Sequence, residues 1–568
     1  MFLSRLFPKI LSCSTNTNLL RNGRSLTVYF KKLQYKSYWS VNLYDRKKNE
    51  LYMINNSCTK EIKRNISTSI SESDSSSFQH MLNVRKKQAQ CSLLLELNKK
   101  DDVPYALNLC EKFGVIKNAY SFSGVSDNVY VLLEFEQEEC AKKLLLESHF
   151  KNILDAFPVL SRIIGYTRKY DQDEPKVSIK VIENNLNTIP IKEGTVSDLI
   201  EHIYNEEKLT ELNVRLRFFF CCILKEFLSG PFPYCDVLPF GSSVNGIGRH
   251  GCDLDLMIRL YPEKIDTSSE LYFVNKTCVG DIKNLQRRVV HCIGDLLRTF
   301  LPGITSVNKI LHARVPIVKL DHKILGMEVD ISVNNLAPIL MSELLYFCGE
   351  VDSRIRPLIY AVKKWARETD ITKSSPGSWF TNFSLTLLVV YFLQNRPTPV
   401  LPPLKEIINI IGAEFTDEYR FEYLMTLPEL QAKASLNKES IAVLLQEFLL
   451  YLGSHPFEDR CISLMTGSAI ERSSEFPVWI QYPLEEDLNV SKNVSQYELW
   501  NTCRKARASA KFLTTNLNAK SLHLKDLSIL LGIAEVLKLD ENKSKRVDVK
   551  TIMGRDDRNV RKPLRRIS

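Results

Sequence analysis

Two acidic segments carry residue types and spacings that suit phosphoryl chemistry. The first reads Gly251-Cys252-Asp253-Leu254-Asp255-Leu256-Met257-Ile258. Apolar Leu254, Leu256 and Ile258 alternate with Asp253 and Asp255, so a strand here turns both carboxylates to one face. Their Cα atoms would lie about 7 Å apart at the usual strand rise. Two carboxylates so close repel unless a cation lies between them. An oxygen-only ligand set suits Mg²⁺ or Mn²⁺. Upstream, Leu238-Pro239-Phe240-Gly241-Ser242-Ser243 ends an apolar run in a Gly-Ser turn. Backbone N–H groups and a hydroxyl at Gly241 and Ser242 suit a phosphate chain. A second segment, Gly326-Met327-Glu328-Val329-Asp330-Ile331-Ser332-Val333, also alternates, with Glu328, Asp330 and Ser332 on one face. If it neighbours the first strand, Asp330 joins the pair. Three carboxylates can then hold two ions about 4 Å apart, with attacking and leaving oxygens in line. A lone Asp-x-Asp is commonplace on surface strands; the preceding turn and the later acidic strand are what give it chemical meaning.

These residues need a frame. Before them, Val196 to Leu228 has the spacing of one or two helices, ending at Ser229-Gly230-Pro231. After them, Asp352 to Arg367 is helical in spacing and puts Lys363 and Arg367 at i, i+4 on one face. That pair is a plausible phosphate clamp, although a solvated basic face has the same spacing. Trp379 to Gln394 reads as a buried helix with Asn382 and Phe383 at its start. Further upstream, Ser92–Leu97 and Asn128–Phe135 are strand candidates, and Pro104–Phe113 and Glu138–Glu147 helix candidates. Strand, helix, strand, strand, helix is the order of an RNA-recognition-motif fold. Tyr130 and Phe135 stand at odd spacing and face opposite sides of their strand, so the base-stacking platform of such folds is thin. A structural or dimerising version of the fold fits as well as a base reader.

The expected class is α+β, in several domains for 568 residues. A targeting presequence spans 1–44, a Ser/Thr/Asn-rich linker 45–83, and an RNA-recognition-like domain 84–170. A catalytic palm with a mixed sheet spans 194–345, a mostly helical domain 346–540, and a basic disordered tail 541–568. Residues 1–44 hold seven Lys/Arg and no acid, and residues 543–568 hold ten against three. With a net charge of +10, the body between them is therefore close to −4. Any polyanion partner must be held by local patches, bound cations or the tail. The cationic, Ser-rich start has the composition of a mitochondrial presequence, which predicts a place in the mitochondrial matrix. No apolar run is long enough to span a membrane. None of the 14 cysteines forms a CxxC pair or a zinc-like group, so reduced core thiols are expected.

The Gly-Ser turn, the Asp-x-Asp strand and the later Asp330 strand together resemble the DNA polymerase β-like nucleotidyltransferase superfamily. So does the intervening His312-Ala313-Arg314-Val315-Pro316-Ile317-Val318-Lys319. The Lys363/Arg367 helix and the helix opened by Asn382-Phe383 resemble those of noncanonical poly(A) polymerases and terminal uridylyltransferases. That resemblance implies Lys363 and Arg367 on the triphosphate, Phe383 stacked on the incoming base and Asn382 at its edge. Segments from Phe448 to Arg507 resemble the poly(A)-polymerase-associated module, with Tyr482-Pro483-Leu484-Glu485 in place of the usual Asp-Pro-Phe-Glu. The Gly-Cys-Asp-Leu-Asp opening, the Trp-x-Thr-Asn-Phe-Ser-Leu helix start and the domain order are similar to the mitochondrial branch. The resemblance covers roughly residues 85–540. It implies template-independent transfer of AMP from ATP to an RNA 3′ end, with two Mg²⁺ or Mn²⁺ ions. Asp253, Asp255 and Asp330 would be metal ligands, Asp330 also the base. A homodimer through the N-terminal domain is implied as well. No ribose ligand follows near Met341, where relatives carry a small polar residue. Uridylyl or mixed-nucleotide transfer is the nearest alternative. A non-catalytic RNA-binding relative is remote, because all three Asp residues are present.

Overall fold

In the computed structural model, residues 77–516 are described, except 125–127, 152–158, 170–174, 176–180, 184–193, 261–281, 376, 413–418, 459 and 472–474. The presequence expected over 1–44 and the tail over 541–568 lie outside the described residues. The linker expectation needs correction at its end, because helix α1, Ser77–Gln90, begins inside it. Phe78, Leu82 and Ala89 are buried and pack with Phe218 and Val244. The polar composition of this stretch masked a sparse apolar stripe at helical spacing.

The N-terminal domain runs β1 (Ser92–Leu97), α2 (Val103–Glu111), β2 (Ile116–Ser123), β3 (Val129–Phe135), α3 (Glu138–Glu147), β4 (Ile163–Gly165) and β5 (Ile182–Glu183). The sheet order is β4-β1-β3-β2-β5. β1 and β2 both pair antiparallel to β3, but β4 runs parallel to β1, so the sheet is mixed. Alternation along the strands separates two cores. Leu93, Leu95, Leu97, Val131, Leu133 and Phe135 meet α2 and α3. Leu94, Tyr120, Tyr130 and Leu132 face the other way and join the core of the next domain.

That core is built around α5, Glu211–Leu228, which follows α4, Val196–Glu207. Thr195 and Thr210 cap the two helices through their hydroxyls, which is why the expected helical stretch breaks once, near Leu209. α5 is buried nearly all round because it is covered on several sides. Its Leu212, Leu216, Phe219 and Phe220 share one core with both the N-terminal sheet and the central sheet. Phe218 meets α1.

The central sheet has the order β6 (Cys235–Phe240), β7 (Leu254–Leu260), β10 (Met327–Val333), β9 (Ile317–His322), β8 (Ile304–Ile310). β10 is parallel to β7 and antiparallel to β9. α5 and α6 (Ile282–Phe300) cover the face that carries Leu254, Leu256, Ile258, Val329 and Ile331. The opposite face is left for the carboxylates. Beyond the sheet come α7 (Ala337–Val351), α8 (Ile355–Glu368) and α9 (Asn382–Gln394). After the ribbon of β11 (Ile408–Gly412) and β12 (Tyr419–Tyr423) come α10 (Leu427–Ala434) and α11 (Ile441–Ser454). A four-stranded sheet then follows, ordered β14 (Ser468–Glu471), β13 (Arg460–Ser463), β15 (Trp479–Tyr482), β16 (Glu485–Asn489), and finally α12 (Gln496–Asn516). Most of this region buries its apolar faces in one large core. The architecture is α+β, and among the described residues no helix is long and apolar enough to cross a membrane.

Candidate active site

Strand pairing brings the two acidic segments together. Asp330 of β10 is the direct register partner of Asp255 of β7, so their Cα atoms are about one strand spacing, roughly 4.8 Å, apart. Asp253 lies one residue before the first paired residue of β7 and is exposed. It therefore sits at the strand's entry rather than within it, still on the side of its two partners. Burial, then Asp330 and Asp253, push the Asp255 carboxyl up to about 7, against the pull of Lys319 and Arg217. Burial also raises Asp330, opposed by Lys319. Lys319 of β9 lies 3.0 Å from Glu328 and 3.5 Å from the Asp330 Oδ1. At 3.5 Å it balances charge without completing a hydrogen bond, and that buried oxygen has no hydrogen-bond partner among the described residues.

Among the described residues no three His, Cys, Asp or Glu side chains converge tightly enough to form a ready-made metal cage. The crowded carboxylates and the orphaned Asp330 oxygen nevertheless fit a hard cation. Mg²⁺ is ordinarily held by one or two carboxylates, with substrate phosphates and water completing its shell. An incomplete protein shell matches that habit.

The Gly-Ser turn adjoins the same spot. Phe240 is the register partner of Asp255, so Gly241 follows directly beside the carboxylate. Gly241 has φ +68°, and a Cβ there would come within 2.8 Å of Asp255 Oδ2. Only glycine meets both conditions cheaply. The Gly241 N–H donates to Ser342 Oγ at 2.7 Å, and Ser342 in turn donates to the Pro338 carbonyl at 2.6 Å. Ser342 neighbours Met341, where no polar role was assigned from sequence; it is the small polar residue of that helix, spent on holding the turn. Tyr204 donates to the Gly246 carbonyl at 2.8 Å, and Lys363 Nζ to the Ile247 carbonyl at 3.2 Å. Helices α4, α7 and α8 thus each pin the loop after β6.

Arg217 is the fourth pin, and sequence gave no sign of its role. It is 2% exposed, on α5. Its Nε donates to Ser243 Oγ at 3.2 Å, and its Nη2 to the Cys252 carbonyl at 2.5 Å. It therefore ties the phosphate-side turn to the entry of the Asp strand. No carboxylate pairs with it among the described residues. Its charge falls instead on the carboxylate cluster, where it opposes the rise at Asp255. A buried, unpaired guanidinium is costly unless nearby negative charge offsets it. In the sequence it is only a cation directly before the apolar run Phe218–Leu224.

Of the other expected contacts, Lys363 and Arg367 lie on α8 beside the loop that follows the turn. Burial, with Arg249 and Arg367 nearby, lowers the Lys363 ammonium to about 8. Asn382 is exposed and Phe383 half-buried at the start of α9, where Thr381 and Ser384 form a reciprocal cap. Neither touches the carboxylates directly. The Phe383 ring lies 6.1 Å from that of Tyr482. Tyr482 pairs across its hairpin with Glu485, whose carboxylate grips Arg314 at 2.6 Å. Arg314 stands in the turn between β8 and β9, the strand bearing Lys319. The hairpin Tyr482-Pro483-Leu484-Glu485 therefore connects the two walls of the site, through the departing Tyr482 on one side and the retained Glu485 on the other.

The family described as poly(A) RNA polymerase, mitochondrial-like, central palm domain matches residues 196–350. The mitochondrial poly(A) RNA polymerase of Homo sapiens is 33% identical over 450 residues, 77% of each chain. That of Drosophila melanogaster is 32% identical over 453 residues, 74% of this chain and 73% of its own. Crystal structures of mtPAP in complex with UTP and with ATPγS each superpose with a TM-score of 0.69 at 29% identity. Each covers 80% of this chain and 99% of the other.

Proposed function

Because the chain belongs to the mitochondrial poly(A) RNA polymerase family, we propose that it adds AMP from ATP, without a template, to the 3′ ends of mitochondrial RNAs in the matrix. It is an enzyme, a polynucleotide adenylyltransferase of polymerase β-like fold. The observation that carries the finer reading is the register pairing of Asp255 with Asp330 beside the Gly241 turn. Asp253, Asp255 and Asp330 would hold two divalent ions. Such ions would supply positive charge to the α-phosphate and to the attacking and leaving oxygens. Asp330 accepts the proton of the RNA 3′-hydroxyl. The oxygen attacks the α-phosphorus, a new P–O bond forms, the bond to the β-phosphate breaks, and pyrophosphate departs. Gly241 and Ser242 receive the β- and γ-phosphates, and Lys363 and Arg367 clamp them from α8. Phe383 stacks on the base, with Asn382 at its edge.

Mixed-nucleotide tailing is the second reading, since mtPAP is known in complex with UTP as well as ATPγS. Primer extension with each nucleotide alone separates the two: ATP is expected to yield a long ladder and UTP at most a few additions. Asp253→Ala should remain folded and extend nothing; surviving extension would refute the site.

The same reading pairs two copies through the N-terminal domain. The open face of its sheet is taken by α5. That leaves the helix side, where Leu109, Val115, Leu146 and Phe150 are exposed, to meet a second copy.

A further inference from the structure

At the far end of the β8–β9 hairpin from its sheet core lies a cavity of about 200 Å³ lined by Lys283, Arg287, His312, Ala313, Arg314 and Pro316. Room for one water is about 30 Å³, so a phosphate group fits with its hydration. Four of these six described residues are cationic or protonatable, and none of the six is an acid. Arg287 is held in place: its Nε donates to the Leu311 carbonyl at 3.1 Å, and Nη1 to Asn284 at 3.2 Å. Guanidinium N–H groups remain over for a ligand. Lys283 and His312 are exposed and have no carboxylate partner among the described residues. Among the described residues Arg314 alone of the four meets a carboxylate, that of Glu485. A basic run on a convex surface is normally just solvated. Here the cations converge on a concavity, in a body that is otherwise slightly acidic.

Position gives the cavity its occupant. β9 leads from Pro316 to Lys319 in three residues, about 10 Å at strand rise, and Lys319 lies 3.5 Å from Asp330. On the other side, Arg314 connects through Glu485 and Tyr482 to Phe383. The triphosphate contacts, Gly241, Ser242, Lys363 and Arg367, lie at the opposite wall, on the loop after β6 and on α8. A strand whose 3′-hydroxyl reaches Asp330 must carry its preceding phosphates away from that wall. We propose that this cleft binds backbone phosphates of the acceptor RNA a short way upstream of its 3′ end. The inference rests on the function proposed above and assigns the acceptor path that function requires.

The test uses the full chain, with Lys283→Gln/Arg287→Gln and the exposed Lys283→Gln alone. Equilibrium binding of oligoadenylate long enough to span the cleft is measured across a salt series, beside extension of a dinucleotide primer too short to reach it. For two lost phosphate contacts the slope of log K against log salt should become shallower by about 1.4, and by about half that for the single variant. Affinity near 0.1 M salt should fall roughly 10- to 30-fold for the double variant. The KM for ATP and dinucleotide extension should not move. Unchanged RNA affinity and slope in both variants would overturn the assignment. So would a raised KM for ATP with RNA binding intact, which would give the cleft to the nucleotide. If the unaltered chain extends no RNA at all, the proposed function itself fails, an outcome separable from variants that match an active parent.

Discussion

At the residue scale, the site depends on side chains whose surroundings alter their chemistry. Lys363 is the clearest case. Burial of its ammonium, with two arginines nearby, lowers it from the ordinary lysine range to about 8. A triphosphate needs the charged form. Below pH 8 the lysine is protonated and ready. Above it, each pH unit removes about tenfold of the charged population, and the apparent KM for ATP should climb in step. Lys363→Arg keeps its charge throughout. In a pH series from 7 to 9.5 it should start with a moderately higher KM and then stay flat. A parallel rise in both proteins would show that Lys363 does not hold the nucleotide. Lys363 was legible as an i, i+4 partner of Arg367. Its lowered affinity for a proton was not, because that comes from elements distant in sequence.

At the element scale, α5 carries more of the site than its sequence suggests. It packs against the central sheet, the N-terminal sheet and α1 through successive faces. Its remaining polar positions are spent on fixed partners. Arg215 meets Glu134 at 2.6 Å with both buried, and Arg217 spans Ser243 and Cys252. Arg217 bonds Asn213, Ser243 and Cys252, none of which the proposed mechanism places on the substrate. It is a positioning residue acting through the turn and the Asp strand. Arg217→Lys keeps a charge but loses the fork that bridges two segments. The expected result is a 10- to 100-fold fall in kcat, about 1.4–2.7 kcal/mol of transition-state stabilisation. The KM for ATP should change by less than about threefold, and the melting temperature only slightly. A loss of stability that accounts for all lost activity, or a KM effect alone, would count against the role. The helices and strands themselves were readable from periodicity and caps. The side that each polar residue of α5 would face was not, since the helix is buried on several sides and has no single amphipathic stripe to orient it.

At the scale of the whole molecule, the N-terminal domain is a structural partner of the catalytic sheet. Tyr120, Tyr130 and Leu132, on the face that base-reading domains of this order leave open, are packed on α5. Ion pairs frame that contact: Arg85 with Glu211, Lys86 with Asp236, and Arg162 with Glu226. On the proposed pairing of two copies, the occupied sheet face leaves the exposed helix side as the surface that would meet. Val115→Glu/Leu146→Glu should therefore convert a dimer to a monomer in sedimentation velocity. Its secondary structure should be unchanged, because both side chains are more than 40% exposed. A dimer that persists would move the interface elsewhere.

Sequence by itself determined the three carboxylates, the Gly-Ser turn, the Lys363/Arg367 face and the α+β order of elements. Each rests on local rules: alternation on strands, i, i+4 spacing on helices, and glycine where the chain must turn. Only the tertiary structure decided that Asp330 stands in register with Asp255, since pairing between segments some 70 residues apart is set by how whole strands stack. It also decided what Arg217 and Ser342 hold, and that the RNA-recognition-like sheet is closed by α5. It joined Arg314 to Glu485 and so placed a basic cleft beside the site. All of these are contacts between segments distant along the chain, and no periodicity within one segment records its partner in another.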